Sequence, residues 1–188
     1  TCDNTFTKEN LELIRELSNE MLDSIPYADK ITSITNVEFM VGTEDGMSIE
    51  QIVPEIIPSD SAGLNKIKNM AYIKPYISER LISKDGTKSW ILLKLHTFPP
   101  DSVWHKDNKS IAPDVLTGTK LYEIISKDKY SGLNPKGTGM PYLTIRKMDW
   151  INTEMPKILG LATLFSIIIL IIFTRSFRGV SVPLITAV

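Results

Sequence analysis

Residues 156–188 read PKILGLATLFSIIILIIFTRSFRGVSVPLITAV, and the rest of the chain is interpreted from them. Seventeen uncharged residues, 158–174, separate Lys157 from Arg175. As a helix they span roughly 26 Å at about 1.5 Å per residue, near the roughly 30 Å hydrocarbon core of a bilayer. The flanking cations can extend to the headgroups and make up the difference. A buried helix of a water-soluble protein carries a polar stripe, whereas this run has only Thr163 and Ser166 before its last residue, Thr174. It reads as a transmembrane helix. Arg175 and Arg178 then flank a short turn, and residues 180–188 open a second uncharged run, the pattern of a fragment of a multi-pass protein. Short loops rich in Lys and Arg stay cytoplasmic, so residues 1 to about 155 are expected to be extracytoplasmic.

Charge is distributed to match. From Met155 onward the chain is +3 and before it −4, so the overall −1 conceals a basic membrane piece and an acidic domain. No basic patch points to nucleic acid. About 150 residues suffice for one domain with a core of its own. Cys2 is the single cysteine, which excludes an internal disulfide scaffold and a multi-cysteine metal site, and favours a prokaryotic source for an extracytoplasmic domain. TCDNTFTKEN has neither the basic nor the apolar region of a signal peptide, so membrane targeting is expected upstream of Thr1.

Residues 7–25 predict an amphipathic helix, with Leu11, Ile14, Leu17, Met21 and Ile25 on one face, Thr7 as N-cap and Pro26 as the stop. Residues 30–41 are β-branched and predict one strand, followed by a turn over 42–46. Residues 48–58 read equally as a short helix or an extended lid. Asp60 or Ser61 caps a helix to about Ile77, with a kink or stop at Pro75. A hairpin follows, residues 80–83 and 89–96 about the turn Lys84-Asp85-Gly86-Thr87. An irregular connection over 98–111 leads to a helix from Pro113 or Asp114 to Lys127. Residues 133–143 predict a last strand, and a helix from Thr144 runs through Trp150 into the bilayer. This order gives an α+β fold, a ferredoxin-like α/β sandwich with its first strand before Thr1. An unpaired sheet edge or exposed apolar face is therefore expected beside the first helix.

Chemistry-bearing motifs are sparse. His96, His105 and Cys2 lack metal-ligand spacing, Ser83-Lys84 and Glu44-Asp45 fall in predicted turns, and Gly137-Thr138-Gly139 lacks the third glycine of a dinucleotide fingerprint. Asn108-Lys109-Ser110 is a glycosylation sequon that matters only in a eukaryotic secretory pathway. No catalytic residue, cofactor or metal site is read, and the chain is taken as a non-enzyme. The apolar run holds no Asp, Glu or His, so it is not itself a proton relay.

The run from Phe173 to Val188, FTRSFRGVSVPLITAV, resembles the junction between transmembrane helices two and three of the resistance-nodulation-cell division (RND) superfamily. It is most similar to the predicted-exporter branch with the large mycobacterial membrane proteins and hopanoid transporters. Phe6–Ile14 (FTKENLELI), Ser33–Val37 (SITNV), Leu81–Gly86 (LISKDG) and Gly139–Pro141 (GMP) resemble that branch in the same order. The resemblance implies a fragment of a proton-driven inner-membrane exporter of apolar or amphiphilic molecules. Residues 1–144 would be a porter-like domain, 145–174 a connecting and transmembrane helix, 175–179 a cytoplasmic turn and 180–188 the start of the next helix. Arg175, Arg178, Gly179 and Pro183 match the junction, with a role in topology and packing. Met40, Met47, Ile49, Val53 and Trp104 are the candidate lining of a substrate path. The implied partners are the lipid bilayer, the remainder of the transporter chain and the substrate, and the reading admits a homo-oligomer. A ligand-sensing receptor ectodomain is the competing class, and a relative that assists protein translocation or senses sterol is a third.

Overall fold

The computed structural model describes residues 2–43, 46–100 and 111–174. The chain divides at Thr144 into two compact units.

The first unit opens with α1, Lys8–Ser24. Thr7 is extended (φ −102°, ψ 152°) and its side chain accepts the Asn10 amide at 3.2 Å, satisfying one of the free N–H groups of the first turn. Leu11, Ile14, Leu17 and Met21 are buried as their spacing predicts. Ser18 joins them at no polar cost because its hydroxyl donates to the Ile14 carbonyl at 2.7 Å.

The strand expected over 30–41 is two strands, β1 (Ala28–Thr32) and β2 (Glu38–Thr43). The break has a side-chain cause. Asn36 Oδ1 accepts the Ser33 amide at 2.6 Å, Asn36 Nδ2 donates to the Ile31 carbonyl at 3.1 Å, and the Val37 amide closes onto Ser33 O at 3.0 Å. Short polar side chains thus satisfy the backbone locally and turn the chain, outcompeting a continuous ladder. The two open readings of 48–58 resolve as extended. β3 (Gly46–Gln51) forms an antiparallel hairpin with β2, and a strap follows that buries Ile52, Val53 and Ile57. Arg15 clamps this strap, donating to the carbonyls of Glu55 at 2.6 Å and Pro54 at 2.7 Å.

α2 (Ser61–Ile73) is capped by Asp60, whose carboxylate accepts the Gly63 amide at 2.8 Å. A Cβ on Gly63 would lie 2.5 Å from Pro58 Cβ, so only glycine lets the helix start this close to the strap. Pro75 ends α2 and begins the single turn α3, Pro75–Ser78. The turn at 84–87 forms as expected. Gly86 takes φ +71°, and Asp85 accepts from Ser83 Oγ and the Thr87 amide, which hold its carboxyl at about 2. The hairpin ladder is shorter than expected, with a single bridge at Ile82–Ser89. Beyond it, β4 (Leu92–Leu95) leaves its hairpin partner and pairs antiparallel with β1.

α4 spans Pro113–Ile125, and a 3-10 turn follows over Asp128–Leu133. The expectation of a strand over 133–143 is corrected. Asn134 is left-handed (φ 43°), the segment to Gly139 (φ +101°) pairs with no strand, and a helix begins at Met140 rather than Thr144. Among the described residues the strands form two separate two-stranded sheets, β1 with β4 and β2 with β3, instead of one sheet. The molecule is therefore mixed α+β with small antiparallel sheets. Its core joins α1, the strap and the 80–82 arm through Leu11, Ile14, Ile34, Ile52, Val53, Ile77, Leu81 and Tyr130. Burial of each large apolar side chain contributes about 1.5–3 kcal/mol.

α5, Met140–Thr174, is one helix of 35 residues, roughly 52 Å at about 1.5 Å per residue. Its first half carries Arg146, Lys147, Asp149, Glu154 and Lys157; its second half carries no charge. Leu159, Phe165 and Ile172 are 69%, 58% and 65% exposed. Two hydroxyls inside the apolar half are closed onto the helix itself, Thr163 to the Leu159 carbonyl at 2.8 Å and Ser166 to the Ala162 carbonyl at 2.9 Å. Such closure is required where no water can replace a missing partner. The helix is long and apolar enough to cross a bilayer.

Candidate functional site

The β2–β3 hairpin places three of the singled-out residues together. Its register pairs Met40 with Ile49 and Gly42 with Met47. Side chains alternate across a strand, so these four positions share one face, while Phe39, Val41, Ser48 and Glu50 share the other. Met40, Met47 and Ile49 are 71%, 81% and 67% exposed. The hairpin has no third strand among the described residues.

The other face anchors the hairpin. Phe39 packs against the core, and the Lys74 ammonium stands 4.8 Å from the centre of its ring. At the hairpin base, Phe39, Met40 and Ile49 meet Ile31, Val37 and Tyr76 around a cleft of about 480 Å³. Lys30 and Glu38 supply charges of opposite sign at its lining, and Asn36 and Thr32 supply neutral polar groups. The Arg80 guanidinium sits 5.3 Å from the Tyr76 ring centre, within cation–π distance. An apolar surface beside a cleft lined by charges of both signs suits an amphiphilic molecule with an apolar body and a polar end.

Val53 is not part of this arrangement. It is fully buried, its carbonyl receives Arg15, and it packs in the core. Trp104, Arg175, Arg178, Gly179 and Pro183 lie outside the described residues, as do His105, the sequon, the Glu44-Asp45 pair and the uncharged run 180–188. Sequence reasoning missed Phe39, Val37 and Tyr76. Phe39 follows from strand alternation once Met40 is placed, whereas nothing in sequence links Tyr76 to a strand more than thirty positions upstream.

A second polar cluster binds α1 to the 3-10 turn. Glu20 accepts from Lys127, from Lys129 at 2.8 Å and from the Tyr130 hydroxyl at 2.6 Å, and Lys129 also reaches Glu16 at 2.7 Å. These hydrogen bonds, Lys127 first, lower the Glu20 carboxyl to about 2. Burial, and then Glu20, pushes the Tyr130 phenol up to about 12, and Glu16 and Glu20 raise the Lys129 ammonium above its usual range. Every strong partner is paired, which is the arrangement of a structural clamp and not of a poised acid or base. No family model, curated protein or solved structure matches this chain.

Proposed function

We propose that the chain is part of a proton-driven exporter of the RND type, in which residues 1–144 form a ferredoxin-like porter domain and α5 is one span of a multi-pass inner-membrane protein. The observation that carries the reading is the gathering of Met40, Met47 and Ile49 on one exposed hairpin face beside the cleft of Phe39 and Tyr76. The apolar half of α5 supports a membrane setting, and the resemblance of residues 173–188 and of the upstream motifs supports the superfamily.

The hairpin face and cleft would receive an apolar or amphiphilic molecule on the extracytoplasmic side. Flexible methionines suit such a role because they adapt to many apolar shapes. Rocking of two repeats, driven by protons at carboxylates elsewhere in the parent protein, would pass the molecule onward.

The test is export of a fluorescent amphiphilic dye by the full-length protein in vesicles with an imposed proton gradient. The wild type is expected to export only with the gradient, and the double variant Met40→Asp, Ile49→Asp to lose most export while inserting normally. A wild type that binds the dye without gradient-dependent movement overturns the exporter reading in favour of a ligand-sensing ectodomain.

A further inference from the structure

The cleft at the base of the β2–β3 hairpin says more about a ligand than its apolar wall does. Lys30 and Glu38 are the charged side chains of its lining, and both are exposed. The ion pairs among the described residues engage neither of them. Their neighbours explain why they are left over. Lys30 stands opposite Lys94 in the β1–β4 ladder, and the adjacent carboxylate, Asp29, is taken by Lys94 at 2.5 Å with His96 at 3.6 Å. Asn36 also lines the cleft but is spent on its turn, with Oδ1 bonded to Ser33 and Nδ2 to Ile31. The open polar side-chain groups of the lining are thus one ammonium, one carboxylate and the hydroxyls of Thr32 and Tyr76.

The two rings of the cleft are engaged from elsewhere. Lys74 stands 4.8 Å from the Phe39 ring centre and Arg80 5.3 Å from that of Tyr76, and neither cation lines the cleft. A quaternary ammonium carries no N–H and is recognised by open aromatic faces. Here each ring already has a cation within cation–π distance, and a second would be repelled by the first. A primary ammonium has three N–H donors and needs an acceptor, which Glu38 supplies through a charge-assisted hydrogen bond. An anionic group on the same molecule finds its counterpart in Lys30. Glu50 and Glu79, the acids of β3 and of the turn after α3, do not line the cleft, and Glu50 accepts from Ser48 at 3.5 Å.

We propose that the cleft selects a zwitterionic amphiphile whose cationic end is a primary ammonium. The ammonium is placed at Glu38, the anionic group at Lys30, and the apolar chains along Met40 and Ile49. The charges of protein and head then cancel in two pairs, so neither Lys30 nor Glu38 is covered without a partner. Exclusion of a quaternary head by Lys74 and Arg80 is the repulsive half of the selection. This inference rests on the reading of the hairpin as an amphiphile site and adds which head that site takes.

The test is titration of the full chain, in a neutral maltoside detergent, with dihexanoyl phosphatidylethanolamine and dihexanoyl phosphatidylcholine below their micellar concentrations. The methyl NMR signal of isotope-labelled Met40, which lines the cleft, reads occupancy, and those of Met148 and Met155 on α5 read general partition into the detergent. The ethanolamine head is expected to bind about tenfold more tightly than the choline head, the scale of one charge-assisted hydrogen bond. Lys30→Glu or Glu38→Lys alone is expected to lose that gain, and the two together to restore it, a rescue that a merely structural role would not give. Lys74→Gln with Arg80→Gln is expected to narrow the gap by raising affinity for the choline head. Equal affinity for the two heads, or no rescue by the double exchange, overturns this inference and leaves the amphiphile site in place. A Met40 signal moved by neither lipid, while Met148 and Met155 respond, overturns the amphiphile site as well.

Discussion

Glu20 shows how one residue can join distant parts of a chain. Its carboxylate holds Lys127, Lys129 and Tyr130, more than a hundred positions away, at the side of α1. The folded state lowers its pKa from 4.5 to about 2, so the ionised form is favoured by folding. The stabilisation is complete above about pH 4.5 and is lost as pH falls toward about 2. Glu20→Gln is expected to destabilise the protein by about 1–2 kcal/mol at neutral pH, with the gap to wild type closing at pH 2–3. Chemical denaturation of both proteins across that range checks the sign and the window. Leu11, fully buried at the centre of the α1 face, is a control of another kind. Leu11→Ala is expected to cost about 2–5 kcal/mol at either pH, because a cavity does not titrate.

At the scale of elements, the hairpin and α5 both expose apolar side chains, for different reasons. Met47 is 81% exposed on a hairpin whose opposite face, through Phe39, holds it to the core. Met47→Asp is expected to leave stability within about 0.5 kcal/mol and to weaken capture of an amphiphile, read by dye binding. Ile168, in the apolar half of α5, has no such tolerance. A charge at the centre of a spanning helix costs about 2.5–3.5 kcal/mol to insert, so Ile168→Arg is expected to raise the alkali-extractable fraction of the protein. Thr163→Val is expected to leave that fraction unchanged, since the Thr163 hydroxyl is satisfied by Leu159 and offers nothing to a neighbour.

At the scale of the whole molecule, the exporter reading makes demands on the parent polypeptide. Rocking transporters work by moving one repeat against another, so a second large α+β segment followed by an apolar helix and a basic turn is expected in it. Ionisable residues are expected within a later helix, where they are costly unless used for coupling. Translation of the parent reading frame checks both. One extracytoplasmic domain followed by a cytoplasmic signalling module would favour the receptor instead.

What the sequence determined by itself is what short-range physics controls. Apolar spacing and the Thr7 cap delimit α1, Pro75 ends α2, Asp85-Gly86 makes a turn, and a run of seventeen residues without charge marks the apolar half of α5. Each of these depends on groups within a few residues of one another, so the information lies in a short window. Only the tertiary structure decided which strands pair. Residues 30–41 broke in two because Asn36 satisfied the turn, Leu92–Leu95 chose β1 over its own hairpin arm, and 133–143 formed no strand. It also decided that Met40, Met47 and Ile49 share an exposed face while Val53 belongs to the core. Strand pairing and burial depend on partners far along the chain, and a β-branched segment carries the same local signal whether or not a partner is there to receive it.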